Sequence, residues 1–340
     1  MRILIVSDAW TPQVNGVVRT LQALVEELKA AGREVVMITP DQFHTLPCPT
    51  YPEIRLSLLP GRRVAELIEA NQPCAIHIAT EGPLGWAARR YCVRRKLPYT
   101  TAYHTRFPEY VQARFGLPLG VSYAVVRRFH NKAESVMVAT QTVEDELKTR
   151  GFRHIRRWTR GVDTELFRPR GIKVYDLPRP IFLYVGRLAV EKNVEAFLSL
   201  DLPGSKVAVG DGPQAEELKR RFPDVTFPGA KRGADLAAHY ADADVFVFPS
   251  RTDTFGLVLL EALACGLPVA AYPVPGPLDV LGGSPAGCLD EDLGAAARHA
   301  LAIPKEICRS HAESFSWAAS ARQFLDNLAP FDPIAWEIPA

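Results

Sequence analysis

The sequence has no cysteine pair at CxxC spacing and no histidine at zinc-finger spacing, although it contains six cysteines: Cys48, Cys74, Cys92, Cys265, Cys288 and Cys308. Isolated thiols of this kind read as reduced, mostly buried residues of a cytosolic protein, not as a disulfide framework or a metal site. The opening MRILIVSDAW lacks a basic n-region, a long apolar stretch and a cleavage site, so no secretory signal is expected. The one stretch apolar enough to suggest a membrane span, residues 255–274, is interrupted by Glu261, Gly266 and Pro268 and divides into a helix and a strand. Low-complexity segments and short repeats are absent. With 23% charged and 47% apolar residues, disordered and fibrous classes are excluded.

Net charge is also scarce, at +2, but it is unevenly distributed. Up to residue 170 there are 25 Lys and Arg against 16 Asp and Glu, a surplus of nine positive charges; beyond it 15 face 22, a surplus of seven negative ones. A basic first half suits either an anionic partner or an ordinary solvated face.

What is present is length and alternation. At 340 residues the chain exceeds one ordinary core and suits two domains. RILIVSD, REVVMITP, CAIHIAT, YTTAYHT and SVMVAT read as strands, separated by helical patterns such as VVRTLQALVEELKAAG, which stops at Gly32. PRGIKVYDLPRP at 169–180, with three prolines, reads as a linker. The alternation then restarts with PIFLYVGR, SKVAVGD, VTFPG, DVFVFPS and LPVAAYP, with the short helix LVLLEALACG between the last two. The expected architecture is α/β: Rossmann-like domains at 1–168 and 178–310 around a cleft, then 311–340 with one helix, FSWAASARQFLDNL, and an irregular tail. Ligands are expected at loops that follow strands.

Three such loops carry chemistry. In VGRLAVEKN, Gly186 admits a close ligand, and Arg187 and Lys192 suit a diphosphate. In PSRTDTFGLVLLEALACGLPV, a polar turn carrying Asp253 and Thr254 leads through Phe255 and Gly256 into a helix that begins near Leu257 and Val258. Free N–H groups at a helix start attract an anion, and Gly256 leaves the approach open. Glu261 lies two turns into that apolar helix, where an acid requires a partner: ligand hydroxyls or a structural arginine. VGDGP at 209–213, with Asp211, is a third strand-end turn. Neither half has G-x-G-x-x-G after its first strand, which argues against a dehydrogenase. Asp242–Ala243–Asp244 has the D-x-D spacing of some metal-dependent transferases but precedes its strand, at the end where ligands do not bind. RRYCVRRKLP is basic without any zinc-finger, zipper or RNP pattern, so no nucleic-acid partner is expected.

Taken together, QVNGVVRTL, EGPLG, YHTRFPEY, RGVDTELF, VGRLAVEKN, VGDGP, the 249–269 block and FSWAASARQFL resemble the retaining glycosyltransferases of family 4 over nearly the whole chain. TDTFG with HTRFPEY is most similar to the branch of sulfolipid synthases, glucosyl- and glucuronosyl-diacylglycerol synthases and GDP-mannose-dependent mannosyltransferases. The resemblance implies a GT-B fold, with two Rossmann-like domains facing a central cleft and a C-terminal helix crossing back to the first. The family's acidic pair is separated by seven residues; here it is Asp253, in place of the usual Glu, and Glu261. By that resemblance Asp253 meets the donor sugar and Glu261 the ribose. The amides from Phe255 to Val258 line the donor site, Arg187 and Lys192 hold the diphosphate, and Gly16 faces it from the first domain. His104 lies near sugar and acceptor, and Arg160 is a further donor-site candidate. Where the family often has two glycines, this chain has Asn15–Gly16.

The expected reaction is transfer of a hexose, with retention and without metal or other cofactor, from a nucleotide sugar (UDP-sugar favoured) to an acceptor hydroxyl. Arg187, Lys192 and the helix start would stabilise the departing phosphate. No nucleophile is evident, so same-face attack is expected. Segment 107–132 mixes Tyr110, Phe115 and Tyr123 with Arg114, Arg127, Arg128 and Lys132, either an ordinary packed helix or a surface for an anionic bilayer. A lipid acceptor such as diacylglycerol and a cytoplasmic location, peripheral on the inner face of the plasma membrane, follow from the second reading. The alternatives are a GDP-mannose-dependent mannosyltransferase acting on a glycan or glycolipid, a sugar-nucleotide epimerase, and a non-catalytic sugar-nucleotide-binding regulator.

Overall fold

The computed structural model describes residues 1–13, 15–48, 51–332 and 336, excepting the side chains of residues 51–53 and 113–115. Fourteen strands and fourteen α-helices occur among them. The strands are β1 Arg2–Val6, β2 Glu34–Ile38, β3 Thr45–Cys48, β4 Tyr51–Ser57, β5 Ala75–Ile78, β6 Thr100–Tyr103, β7 Ser135–Val138, β8 Ile155–Arg157, β9 Ile181–Val185, β10 Ser205–Val209, β11 Thr226–Gly229, β12 Val245–Phe248, β13 Val269–Ala271 and β14 Gly287–Leu289. The α-helices are α1 Gly16–Ala30, α2 Gly61–Asn71, α3 Pro83–Arg95, α4 Phe107–Phe115, α5 Leu119–His130, α6 Gln141–Thr149, α7 Val194–Leu198, α8 Ala215–Arg221, α9 Gly233–Ala241, α10 Leu257–Ala264, α11 Pro275–Leu281, α12 Leu293–Ala300, α13 Lys305–Glu313 and α14 Trp317–Asn327.

The chain forms two compact units: Met1–Thr159 with Trp317–Ala340, and Arg160–Ser316. In the first, a six-stranded parallel sheet has the order β2-β1-β5-β6-β7-β8. Continuous apolar runs such as Ile3–Val6 are buried on both faces, as helices on either side of a parallel sheet require. Helix α1 presents Leu21, Leu24 and Leu28 on one stripe, and Phe324 and Leu328 at the chain's C-terminal end complete the same core. Phe331 and Trp336 extend this return, with the Phe331 N–H donating to Cys74 O at 2.8 Å and the Trp336 indole to Pro73 O at 3.0 Å. The β3–β4 hairpin stands apart as a two-stranded antiparallel sheet that the sequence reading did not foresee.

In the second unit the order is β11-β10-β9-β12-β13-β14, again parallel throughout. This is the Rossmann order, with a switch point between its first and fourth strands, β9 and β12. In the first unit the switch point lies between β1 and β5.

Three boundaries differ from the sequence reading. The division falls after Thr159 rather than at 168, because residues 160–168 are fastened within the second unit: Val162 N–H donates to Phe315 O, and the Arg309 guanidinium to the Thr164 and Phe167 carbonyls. The segment at 169–180 is not a loose linker. Asp242 accepts the N–H groups of Val174 and Tyr175 at 2.6 and 2.7 Å and pairs with Arg179, while Asp244 accepts Ile181 N–H at 2.8 Å. The D-x-D spacing is thereby explained as an anchor at the amino end of the sheet. The return to the first unit begins at Trp317, not 311, because Arg309 and His311 of α13 donate to Ala264 O and meet Val280 O.

Candidate functional site

At the switch point of the second unit, the loops after β9 and β12 are tied together. Asn193, left-handed at φ +53°, donates from Nδ2 to Pro249 O at 3.1 Å, and Thr252 Oγ1 donates to Glu191 O at 3.1 Å. Across this pair of loops Lys192 Nζ lies 2.5 Å from Asp253 Oδ1. The other carboxylate oxygen, Asp253 Oδ2, is buried and has no hydrogen-bond partner among the described residues. A buried acceptor without a donor is costly, and a ligand hydroxyl is a group that could satisfy it.

The Asp253 loop is held on its far side as well. Arg251 stacks over the Tyr272 ring, 3.7 Å from Cζ to centroid, and donates to Glu291 Oε2 at 3.0 Å. Tyr272 and Glu291 follow β13 and β14, so three successive strand ends meet at one guanidinium. Behind the loop, a Cβ on Gly276 would stand 2.9 Å from Phe255 O and 3.1 Å from Asp253 O, so glycine lets α11 abut the loop backbone.

Asp253 and Thr254 lead into Phe255, which is buried edge-on to Phe315 at 6.4 Å. Gly256 then precedes α10 in the left-handed region, at φ +87°, and no side chain caps the helix. A Cβ there would meet Leu259 Cδ1 at 3.1 Å and Phe248 Cζ at 3.2 Å, so conformation and space both demand glycine. Leu257 and Val258 open the helix, and their N–H groups belong to its unsatisfied first turn. Glu261, 6% exposed, accepts the Tyr240 hydroxyl at 3.0 Å. A tyrosine of α9 is therefore one of its partners, a contact 21 residues away in sequence that spacing could not reveal.

The loop after β9 is built by close backbone approach. Tyr184 Oη donates to Arg187 O at 2.8 Å, and a Cβ on Gly186 would lie 2.6 Å from the Tyr184 hydroxyl. Gly186 N–H donates to Val209 O and Leu188 N–H to Asp211 O. A Cβ on Gly210 would sit 1.8 Å from Gly186 O, and one on Gly212 2.5 Å from Leu188 O. VGDGP is thus the mating surface for the Arg187 turn. The exposed Asp211 carboxylate accepts the N–H of its neighbour Gly212 at 2.7 Å.

In the first unit, Asn15 caps α1: its Oδ1 accepts the N–H groups of Val17 and Val18, both at 3.0 Å, and Gly16 opens the helix. This explains Asn at a position where a second glycine is common. His104 follows β6 and meets the buried Trp158 edge-on at 5.6 Å, and Trp158 donates to Ser320 of α14 at 3.0 Å. Arg160, the first residue of the second unit, is 4% exposed, and burial pushes its guanidinium down to about 9, leaving it cationic near neutrality.

The surface expected on α4 and α5 has a different membership. Tyr123 is buried, its hydroxyl donating to Glu109 at 2.6 Å beneath Arg150, so it faces inward. The side chains of Arg114 and Phe115 lie outside the described residues. The exposed apolar groups are Phe107, Leu117, Val121 and Val125, beside exposed Arg127, Arg128 and Lys132. Among the described residues no helix is long and apolar enough to cross a membrane, and no three His, Cys, Asp or Glu side chains gather as a metal site. None of the six cysteines is in a disulfide, and burial pushes Cys92, Cys265 and Cys308 up to about 12.

Comparison with known proteins bears on this geometry. Residues 14–166 match the family model described as Glycosyltransferase Family 4, and residues 179–304 that of Glycosyl transferases group 1. The chain is 31% identical to a GDP-mannose-dependent alpha-mannosyltransferase of Mycobacterium tuberculosis, over 83% of this chain and 81% of the relative. It is 30% identical to sulfoquinovosyl transferase SQD2 of Arabidopsis thaliana over 79% of this chain, but spans only 58% of that relative's length. Alpha-monoglucosyldiacylglycerol synthase of Streptococcus pneumoniae is 27% identical over 97% of this chain and 85% of the relative. Among solved structures, sucrose-phosphate synthase from Thermosynechococcus elongatus has the same fold, with a TM-score of 0.75 over 96% of this chain and 97% of that one at 23% identity.

Proposed function

The chain belongs to glycosyltransferase family 4 and has its GT-B fold, and from that premise we propose that it moves a hexose, with retention of configuration, from a nucleoside diphosphate sugar to an acceptor hydroxyl. The observation that carries this reading is the Asp253 carboxylate, with one oxygen on Lys192 and the other buried without a donor, just before the uncapped start of α10. In the proposed reaction the bond between the anomeric carbon and the diphosphate oxygen breaks, and the acceptor oxygen bonds to that carbon. The acceptor proton passes to the departing phosphate. Lys192, Arg187 and the N–H groups of Leu257 and Val258 stabilise the charge that grows on the diphosphate, which makes a metal unnecessary in this scheme. Asp253 Oδ2 accepts a sugar hydroxyl, and Glu261 accepts ribose hydroxyls beside Tyr240. Gly16 and His104 are the first unit's candidate donor contacts.

For the acceptor, two observations favour a lipid such as diacylglycerol: the diacylglycerol-glucosylating relative, and the exposed Phe107, Leu117, Val121 and Val125 next to Arg127, Arg128 and Lys132. Apolar side chains flanked by cations suit the surface of an anionic bilayer. A second reading, mannosyl transfer from GDP-mannose, is favoured by the 31% identical relative. The test is a screen of UDP- and GDP-sugars read by released nucleotide, with and without diacylglycerol vesicles and EDTA, followed by NMR of the product's anomeric centre. Nucleotide release that requires vesicles and a UDP-sugar supports the first reading, and release with GDP-mannose alone supports the second. No acceptor-dependent release with any donor overturns both.

A further inference from the structure

The switch point of the first unit holds a carboxylate that no step of the proposed reaction uses. Asp8 follows β1, is 8% exposed, and reaches across to the loop after β5. Its Oδ1 accepts Leu84 N–H at 2.8 Å, and its Oδ2 accepts Gly85 N–H at 3.2 Å and the Thr80 hydroxyl at 2.9 Å. These donors surround and include the first turn of α3, so EGPLG at 81–85 is the receptor for this one side chain. Its first glycine follows from that contact, since a Cβ on Gly82 would lie 2.4 Å from Asp8 Cγ; the second answers to the backbone, a Cβ on Gly85 standing 1.9 Å from Thr80 O.

The same residue continues towards α1. Its carbonyl accepts Gln13 Nε2 at 3.3 Å; Gln13, 6% exposed, accepts Asn15 Nδ2 at 3.2 Å; and Asn15 Oδ1 caps Val17 and Val18. A hydrogen-bonded line thus runs from the head of α3 through Asp8, Gln13 and Asn15 to Gly16. Each link is a directional contact between side chain and backbone or side chain and side chain, and two of its members are almost wholly removed from water. Such a line transmits the position of one loop to the next because no link can turn without leaving a buried polar group unmatched.

We propose that Asp8 and Gln13 are positioning residues for transfer: they fix the Asn15–Gly16 turn at the head of α1. This rests on the reading of Gly16 as a donor contact. Gly16 opens α1 and is not among the left-handed glycines, so a side chain there imposes no left-handed strain.

The experiment compares Gln13→Met, Asp8→Asn and Gly16→Val by steady-state kinetics with the sugar nucleotide varied, and by thermal unfolding. Gln13→Met keeps the Asp8 carboxylate and its contacts with α3 and cuts both links of Gln13, to the Asp8 carbonyl and to Asn15. The expected result is a KM for the donor raised about tenfold or more, kcat within about threefold, and a melting temperature near that of the parent. Asp8→Asn raises KM similarly and also lowers the melting temperature, since the amide cannot accept all three donors. An unchanged donor KM in Gln13→Met overturns the proposal, whatever Asp8→Asn does to folding. An unchanged KM in Gly16→Val overturns instead the reading of Gly16 on which it rests, so the two failures are told apart.

Discussion

Lys192 and Asp253, sixty-one residues apart, meet at 2.5 Å across the β9–β12 switch point and occupy only one of the two carboxylate oxygens. An ion pair between partly buried groups is a weak device for stability, because desolvation offsets the Coulombic gain. Its value lies in orientation: Lys192 fixes one oxygen, so the other keeps a set direction. Asp253→Asn and Lys192→Ala should each lower kcat/KM by roughly 10²–10³-fold, on the scale of losing one charge-stabilising group. Arg187→Ala should do the same while folding is retained. Nucleotide release under saturating acceptor measures all three, and activity at the parental level would remove that residue from the machinery.

Arg251 steadies the same loop from the opposite side through Tyr272 and Glu291. The ion pair is exposed and contributes little by itself, whereas the stack on a largely buried ring is worth about 1 kcal/mol. Arg251→Ala should leave the melting temperature within a few degrees and reduce kcat about tenfold. Arg251→Lys should not restore it, because an ammonium cannot stack and fork at once.

Two glycines make opposite predictions from the same kind of contact. Gly256→Ala meets two flexible side chains at a left-handed φ, and should fold with a loss of about 1–3 kcal/mol and weakened donor affinity. Gly210→Ala puts a carbon 1.8 Å from a backbone oxygen that cannot move alone, and should yield little folded protein. Urea denaturation and soluble yield distinguish the two.

Asp8 links stability to pH. Burial, opposed by the α3 N–H groups and Thr80 and reinforced by nearby Glu81, which itself contacts His130, raises its carboxyl from 3.8 to about 6. Below 3.8 it is protonated in folded and unfolded chains alike. Between there and about 6 the unfolded chain releases the proton while the folded chain retains it, so stability falls as pH rises through this window, on the order of 3 kcal/mol in all. In Asp8→Asn this slope should vanish: the difference in melting temperature between parent and variant should shrink from pH 4 to pH 7. A difference constant across that range would count against a raised carboxyl.

For the exposed face of α4 and α5, Val121→Asp combined with Arg127→Glu and Arg128→Glu should abolish sedimentation with anionic vesicles at low salt. Activity on a soluble acceptor should be kept. Binding that survives the triple change places the contact elsewhere.

The sequence alone determined the alternation of strands and helices, because apolar runs and helical periods are local, and it marked the loops after β9 and β12, because Gly186, Gly256 and their charged neighbours stand together in the chain. It also exposed Glu261 as an acid out of place in an apolar helix, without naming its partner. Tertiary structure decided the rest. Lys192 reaches Asp253 and Tyr272 reaches Arg251 only because parallel strands separated in sequence become neighbours when the sheet forms, and Tyr240 reaches Glu261 because α9 and α10, on either side of β12 in the chain, pack together. Gly210 of VGDGP and Gly82 of EGPLG look alike as text, yet the first lets two backbones touch and the second lets a carboxylate in, a distinction that only packing makes. Asp8 had no local signal at all. It follows an ordinary strand, and its consequence lies in the seventy-odd residues of chain that fold back before Thr80, Leu84 and Gly85 can reach it.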